Sequence, residues 1–578
     1  MEHVFAKAGA AAEITLIRKG FFRQSPLTDK FISNNNFLLV NIMGRFLNSK
    51  IPFESWKIIR KDPYYVDKSE LLCELIPCLD TENRFLCITR PRRFGKSVMA
   101  NMIASFFGKS SKCDDLFENL SVAQFPFWQE ICGKYNVIFI DFSEVPRDCA
   151  NYRQYIARIQ NGINNDLSET FKQSDINVND SVSDCLNTVF QDTGEKFIFV
   201  IDEWDAVFHM PFIKPDEQKM FLLFLKNLLK GQPYVKLAYM TGILPIAKYS
   251  GGSELNMFAE YDMASRIRFG EYFGFLDSEV DSLYQTYLYK TKNPQIKRED
   301  LTFWYNGYHT ASGRRVYNPR SVICSLIDNQ INSYWTNSGP YDEIFYYVKH
   351  DINGIRDDLA LMISGEKIEI RLQGYAAAQM QLTTKSEIYS AMVVYGLLTY
   401  EDGSVMIPNR ELMEKFEELL LTNDSLGYIH ELAKISDKML KATLCKDTDT
   451  MSAILEYAHN TESPIFSYNN ETELSAVVNL VYLGARDKYR IEREDKAGKG
   501  FADFIFYPEH KEDDAIILEL KINSTPDEAI KQIKEKKYAL SLSGKLGEKI
   551  KYSGRILAVG ISYDKKAKKH FCKVEELQ

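Results

Sequence analysis

A short apolar run that ends in a lysine-bearing loop and restarts as a helix constrains this chain more than any other feature. Phe85-Leu-Cys-Ile-Thr89 reads as a buried strand, Arg90-Pro-Arg-Arg-Phe-Gly-Lys-Ser97 as the loop, and Val98–Phe107 as the helix that follows. In that setting backbone N–H groups and a helix N-terminus cradle phosphates, Lys96 reaches the outer phosphates and the Ser97 hydroxyl binds Mg²⁺. The expected nucleotide contacts are therefore Arg90, Pro91, Arg92, Arg93, Phe94, Gly95, Lys96 and Ser97. Arg90 stands where such a loop normally has its first glycine, so the turn must be made with Pro91 and the flanking arginines.

An acidic partner follows about a hundred residues later. Phe197-Ile-Phe-Val-Ile-Asp-Glu203 is an apolar run closing in two carboxylates. Asp202 is expected to hold the Mg²⁺ water shell and Glu203 to polarise the attacking water, with Asp205 the next candidate for that role. Thr241, at the end of Lys236-Leu-Ala-Tyr-Met240, is expected to sense the γ-phosphate, and Arg266 and Arg268 are weaker candidates to pair with it.

A second phosphate-chemistry signature lies near the C-terminus. Asp503 sits in Phe501-Ala-Asp-Phe-Ile-Phe-Tyr507, and Glu519-Leu-Lys521 ends the next apolar run. Residues i and i+2 of a strand share a face, so Glu519 and Lys521 point together. Two carboxylates can hold Mg²⁺ and a lysine can position water or stabilise developing charge, the requirements of metal-dependent phosphodiester cleavage. A carboxylate interrupting an apolar strand is costly without a partner, which makes Glu519 the more telling of the two. Gly500 permits a backbone bend, Glu473 on the preceding helix is a further candidate ligand, and Gln532 and Tyr538 lie on the helix after.

Length, 578 residues, is too great for one core and predicts several domains. Residues 1–48 read as an unstructured N-terminal extension, with Met43 an alternative start. Residues 49–264 carry strands separated by helices, the pattern of a parallel α/β domain. Residues 265–464 turn helical, with Trp304-Tyr-Asn-Gly-Tyr308 and Tyr317-Asn-Pro-Arg320 as turns. Residues 465–578 read in the order αββαβ. The net charge of −8 argues against a chain that coats nucleic acid by bulk attraction, so contact must be local. Lysines do cluster at 531, 534, 536 and 537 and at 565, 566, 568 and 569, near the second signature. The 10 cysteines are scattered without Cys-x-x-Cys spacing, which predicts thiols rather than a zinc cage or disulfide frame. No apolar stretch reaches the roughly 20 residues needed to span a bilayer, so a cytoplasmic protein is expected.

Taken together, Tyr64-Tyr-Val-Asp-Lys-Ser69, Arg90–Ser97, Ile201-Asp-Glu-Trp-Asp205, Thr241-Gly-Ile-Leu244, Phe273-Gly-Phe275, Trp304–Tyr308 and Tyr317-Asn-Pro-Arg-Ser321 resemble an AAA-ATPase-like family whose members carry a C-terminal PD-(D/E)XK nuclease-superfamily domain. The resemblance implies an AAA- or STAND-like P-loop core, a helical middle region and a restriction-endonuclease-like α/β domain. It also implies ATP and Mg²⁺ as cofactors, and that family's loop has arginine at the position of Arg90. Gln532 and Tyr538 resemble the trailing Gln…Tyr element of this nuclease class. The expected function is an ATPase coupled to a Mg²⁺-dependent nuclease acting on DNA, in a chain able to form a homo-oligomer. The alternative is an ATP-dependent sensor or scaffold whose nuclease fold binds nucleic acid or protein without cutting.

Overall fold

Five apolar segments form the first sheet because each is short, β-rich and flanked by helix-forming sequence: β1 Phe85–Thr89, β2 Asn136–Asp141, β3 Phe197–Asp202, β4 Val235–Gly242 and β5 Ala259–Tyr261. All pair in parallel in the order β2-β3-β4-β1-β5. Alternation along each strand divides the side chains between two layers. Phe85, Cys87, Ile138, Phe199 and Met240 pack on helices Tyr152–Thr170, Val182–Thr193 and Pro215–Leu229. Leu86, Ile88, Ile198, Val200 and Leu237 pack on helix Lys96–Phe107. The expected α/β domain is thus a parallel sheet with helices on both faces.

The computed structural model describes residues 44–578 except 110–113, 148, 247–253, 336–354, 373–381, 383, 423–427, 460–470, 498–499, 509, 511, 540–553 and 578. Most of the expected N-terminal extension, residues 1–43 with Met43, lies outside the described residues. Residues 44–48 do not behave as an extension. Phe46 and Asn48 bond to the backbone of β2, and Asp166 accepts from the backbone N–H groups of Arg45, Phe46 and Leu47. Phe46 and Leu47 form an apolar anchor, both buried.

The middle region is helical, as expected, and adds two small sheets. One pairs β6 Tyr308–His309 with β7 Arg315–Val316; the other orders β8 Ile368–Glu369, β10 Ser404–Met406 and β9 Thr399–Glu401 as β8-β10-β9. Trp304 and Tyr305 close helix Arg298–Tyr305, and Gly307 takes φ +113 where a Cβ would meet the Pro408 carbonyl at 1.8 Å. Asn318 caps helix Pro319–Asp328 by accepting from the N–H groups of Arg320 and Ser321.

The last sheet is mixed, ordered β11-β12-β13-β14-β15: Tyr489–Ala497, Gly500–Pro508, Ala515–Ile522, Ile556–Asp564 and Lys569–Leu577. Only β13 and β14 run parallel, and helix Pro526–Lys536 makes that crossover. One face packs on this helix through Ile505, Ile517, Ile530 and Ile533. The other face, with Phe504, Phe506, Leu518 and Val559, joins a large core that includes middle-region residues such as Met392 and Leu440 and reaches Phe94 of the lysine loop. Among the described thiols Cys73, Cys78, Cys87, Cys149, Cys185, Cys324, Cys445 and Cys572 are free, whereas Cys132 is disulfide-bonded, against the expectation of thiols throughout.

Candidate functional sites

The lysine loop leaves β1 and starts helix Lys96–Phe107, with Arg93 at φ +67 and Gly95 at φ +88 making the turn. Lys96 is buried, and its ammonium donates to the carbonyls of Arg90 and Pro91 at 2.9 and 3.0 Å. Burial pushes its pKa down, while Asp205, Glu203 and Asp202 oppose that shift.

Arg90 departs from its expected role as a nucleotide contact. Its side chain is 1% exposed and donates to the carbonyls of Thr89, Tyr261 and Phe269, with the guanidinium 5.0 Å from the centre of the Phe273 ring. The arginine thus ties the end of β1 to the segment after β5, and the loop turns through Pro91–Gly95 without a glycine at its first position. Arg92 is half-buried and Arg93 exposed at the loop surface.

The acidic pair arrives on β3, separated from β1 by β4. Asp202 is 3% exposed and accepts from the Thr241 hydroxyl, with the Ser97 hydroxyl close enough to hold its pKa down against burial. Burial raises its pKa. Glu203 follows at φ +48, a left-handed position that turns the chain at the sheet edge, and its N–H donates to Thr241 Oγ1 at 3.3 Å. Burial also raises the Glu203 pKa, opposed by Lys96. Lys96, Ser97, Asp202, Glu203 and Thr241 therefore converge, with Thr241 bracing Asp202. Asp141, paired in register with Asp202, is a neighbouring carboxylate whose charge raises both. A strand ending in aspartate was its only sequence signal.

Asp205 is corrected as a base candidate. It is buried, and Oδ2 accepts from the N–H groups of Ile243 and Leu244 at 3.1 and 2.9 Å. Gly242 makes this possible, since a Cβ there would lie 2.5 Å from the Trp204 ring. Arg268 is likewise diverted, bonding to Glu74, and Arg266 is exposed.

In the C-terminal sheet the ladder between β12 and β13 runs to Phe504↔Leu518 and stops. Just beyond, the Leu520 N–H donates to Asp503 Oδ2 at 2.7 Å. Glu519 and Lys521 share the face covered by helix Pro526–Lys536. Lys521 Nζ lies 3.3 Å from Glu519 Oε1, and Gln532 Nε2 donates to the same oxygen. Gln532 also stands 3.4 Å from the hydroxyl of Tyr538, which is buried. Glu519 is 2% exposed, and its Oε2 has no hydrogen-bond partner. Burial, then the neighbouring Asp503 charge, pushes its pKa up to about 7. A buried carboxylate oxygen left unpaired beside a second carboxylate suits a divalent cation, whose charge would offset both costs. Glu473 lies on helix Glu471–Val481 and is partly buried; among the described residues no three His, Cys, Asp or Glu side chains gather as metal ligands.

A cavity of about 700 Å³ lies at neither site but between the middle region and β11, lined by Trp304, Arg410, Arg486 and Arg493 among others. No helix of the described residues is long and apolar enough to cross a membrane.

Comparison with known proteins bears on both ends of the chain. A family model described as a predicted AAA-ATPase matches residues 52–250, and one for the PD-(D/E)XK nuclease superfamily matches residues 469–567. An uncharacterized protein encoded in the vnfD 5′ region of Azotobacter chroococcum mcd 1 is 25% identical over 283 residues, 48% of this chain and 51% of the relative, so the match spans about half the length of that relative. Among solved structures, a Walker-type ATPase of Pyrococcus abyssi is 12% identical with a TM-score of 0.32, covering 60% of this chain and 94% of its own. The ORC2 protein of Aeropyrum pernix, in complexes with ADPNP and ADP, is 10% identical with a TM-score of 0.30, covering 66% and 96%. At those scores nothing about function follows from the overlap. The two family matches fall on the two sites described above: residues 52–250 carry a predicted AAA-ATPase region and residues 469–567 a PD-(D/E)XK nuclease-superfamily region.

Proposed function

We propose that this chain binds and hydrolyses ATP at the loop of residues 90–97 and cleaves DNA phosphodiester bonds, with Mg²⁺, at Asp503, Glu519 and Lys521. The observation that carries the second half is Glu519: a buried strand carboxylate with an unpaired oxygen, facing Asp503 and touched by Lys521. A fold without cutting chemistry gains nothing from that cost. Mg²⁺ held by Asp503 and Glu519 would act as a Lewis acid on the phosphoryl oxygen. The Lys521 ammonium can move between Glu519 and the charge that develops on a cleaved phosphate, and Gln532 keeps Glu519 oriented. In the first site Lys96 compensates the outer phosphates, Ser97 and Asp202 hold the metal side, and Glu203 orients water. The domain limits proposed are 49–264, 265–464 and 465–578, with residues 44–48 added to the first.

The test is cleavage of plasmid and single-stranded DNA by the full chain, with and without ATP and Mg²⁺. Mg²⁺-dependent cutting that responds to ATP is expected. DNA bound but never cut under any divalent metal would transfer the reading to an ATP-dependent sensor or scaffold.

A further inference from the structure

The turn joining β14 to β15 concentrates positive charge next to the carboxylate site. It reads Asp564-Lys565-Lys566-Ala567-Lys568-Lys569, and residues 565–569 are exposed. The tip has a defined shape: Asp564 Oδ1 accepts from the N–H groups of Lys566 and Ala567 at 2.8 and 3.0 Å, and Lys568 takes φ +52. It is also pinned to the site. Asn523, two residues after Lys521, accepts from the Lys565 N–H through its side chain and donates its own N–H to the Tyr563 carbonyl.

Neutralisation separates Lys566, Lys568 and Lys569 from the other lysines nearby. Lys534 pairs with Glu575, Lys573 with Asp527 and Glu575, and Lys531 with Glu535. Among the described residues no carboxylate lies in ion-pair range of Lys566, Lys568 or Lys569. In a chain of net charge −8 such an uncompensated group is a local exception. Register sets its reach. Lys521 pairs with Ser562, and Lys565 lies three residues further along the chain, one past the end of β14, about 10 Å at roughly 3.3 Å per residue. One strand of duplex DNA presents a phosphate about every 3.4 Å along the axis, so that span is about three nucleotides.

We propose that this turn is the DNA-backbone contact of the nuclease domain: Lys565, Lys566, Lys568 and Lys569 bind duplex phosphates about three nucleotides from the bond presented to Asp503, Glu519 and Lys521. The proposal rests on the nuclease reading above. It supplies the local contact that bulk charge does not, and because it touches phosphates alone it fixes position without sequence preference.

The experiment is fluorescence anisotropy of a labelled DNA duplex titrated with the full chain in EDTA, between about 50 and 200 mM salt. Replacing all four lysines with alanine is expected to weaken binding about 10- to 100-fold and to flatten the log Kd against log salt slope by about 3.6, since each phosphate contact contributes roughly 0.9. Four arginines in the same places are expected to restore both, which separates charge from damage to the turn. Lys531→Ala, a paired lysine, is expected to change the slope by less than about 1. An alanine variant with unchanged affinity and slope overturns the turn as the contact while leaving the nuclease reading standing. Loss confined to an RNA duplex overturns the assignment to DNA. Parent protein that binds no duplex removes the nuclease reading and this proposal together.

Discussion

Trp335 donates its indole N–H to the carbonyl of Arg92 at 3.2 Å, so a residue of the middle region holds the backbone of the lysine loop. Phe94 packs edge-on against Tyr308, 4.9 Å between ring centres, and a Cβ on Gly396 would meet Pro91 at 2.6 Å. Trp335→Phe keeps the ring and loses the bond. ATP affinity is expected to fall about 3- to 10-fold, in line with about 1 kcal/mol for one hydrogen bond. Isothermal titration checks this, and affinity equal to or above the parent's counts against the brace.

Lys96→Ala and Glu203→Gln should separate binding from turnover. The lysine compensates phosphate charge in both ground and transition states, so its loss is expected to weaken ATP binding by about 100-fold or more. Glu203→Gln is expected to hold ATP while hydrolysis falls by about 10²- to 10⁴-fold. An ATP titration and a phosphate-release assay decide both points. Unchanged turnover removes Glu203 from the role, and Asp205 is no substitute with its carboxylate committed to Ile243 and Leu244.

Arg90→Ala should injure the fold before it injures the nucleotide site. Three buried carbonyls lose their donor at once, and each buried unsatisfied group costs about 1–3 kcal/mol. A loss of at least about 3 kcal/mol is expected in denaturant unfolding without nucleotide. A stable Arg90→Ala protein that has simply lost ATP affinity would return the residue to the list of phosphate contacts.

Asp503→Ala and Glu519→Ala are each expected to abolish Mg²⁺-dependent cutting, because one carboxylate cannot hold the cation, whereas Lys521→Ala should retain metal affinity and cut slowly. Titration with Mn²⁺ alongside plasmid cleavage separates the two losses. Equal cutting by all three would point to a contaminant or a different centre.

Acidity should tune the same site. The Glu519 pKa of about 7 lies above its ordinary 4.5, so between those values the folded chain holds a proton that the unfolded chain has released. Stability from this group is therefore present below about pH 4.5 and lost as pH rises to about 7. Cleavage is expected to run the other way, rising through pH 7 as the carboxylate becomes free for the cation, with a midpoint that moves down as Mg²⁺ increases. A midpoint indifferent to Mg²⁺ would disconnect the titration from Glu519.

The parts of this fold visible in the sequence are those where one short segment carries the whole signal. Phe85–Thr89 with its loop, Phe197–Asp202 and Ala515–Ile522 are buried strands with chemistry at their ends, and each reads directly. The edge strands β11 and β15 do not, because Tyr489-Arg-Ile-Glu-Arg-Glu-Asp-Lys-Ala and Lys569-His-Phe-Cys-Lys-Val-Glu-Glu-Leu are rich in polar residues and leave little apolar pattern. Arg90 and Asp205 differ from the expectation for another reason. Both are charged residues inside recognisable motifs, and only the backbone groups around them, contributed by β5 and β4, reveal that they are structural. For Glu473 the helix position alone does not say what the side chain meets.

One feature of the packing governs how the molecule can be taken apart. The face of the last sheet bearing Phe504, Phe506, Leu518 and Val559 is covered by the middle region, in a core continuous as far as Phe94 of the lysine loop. A fragment beginning near residue 465 would present those side chains to water and aggregate rather than cut. A substitution among the middle helices, touching neither site, is therefore expected to weaken the last sheet and the support of the lysine loop together.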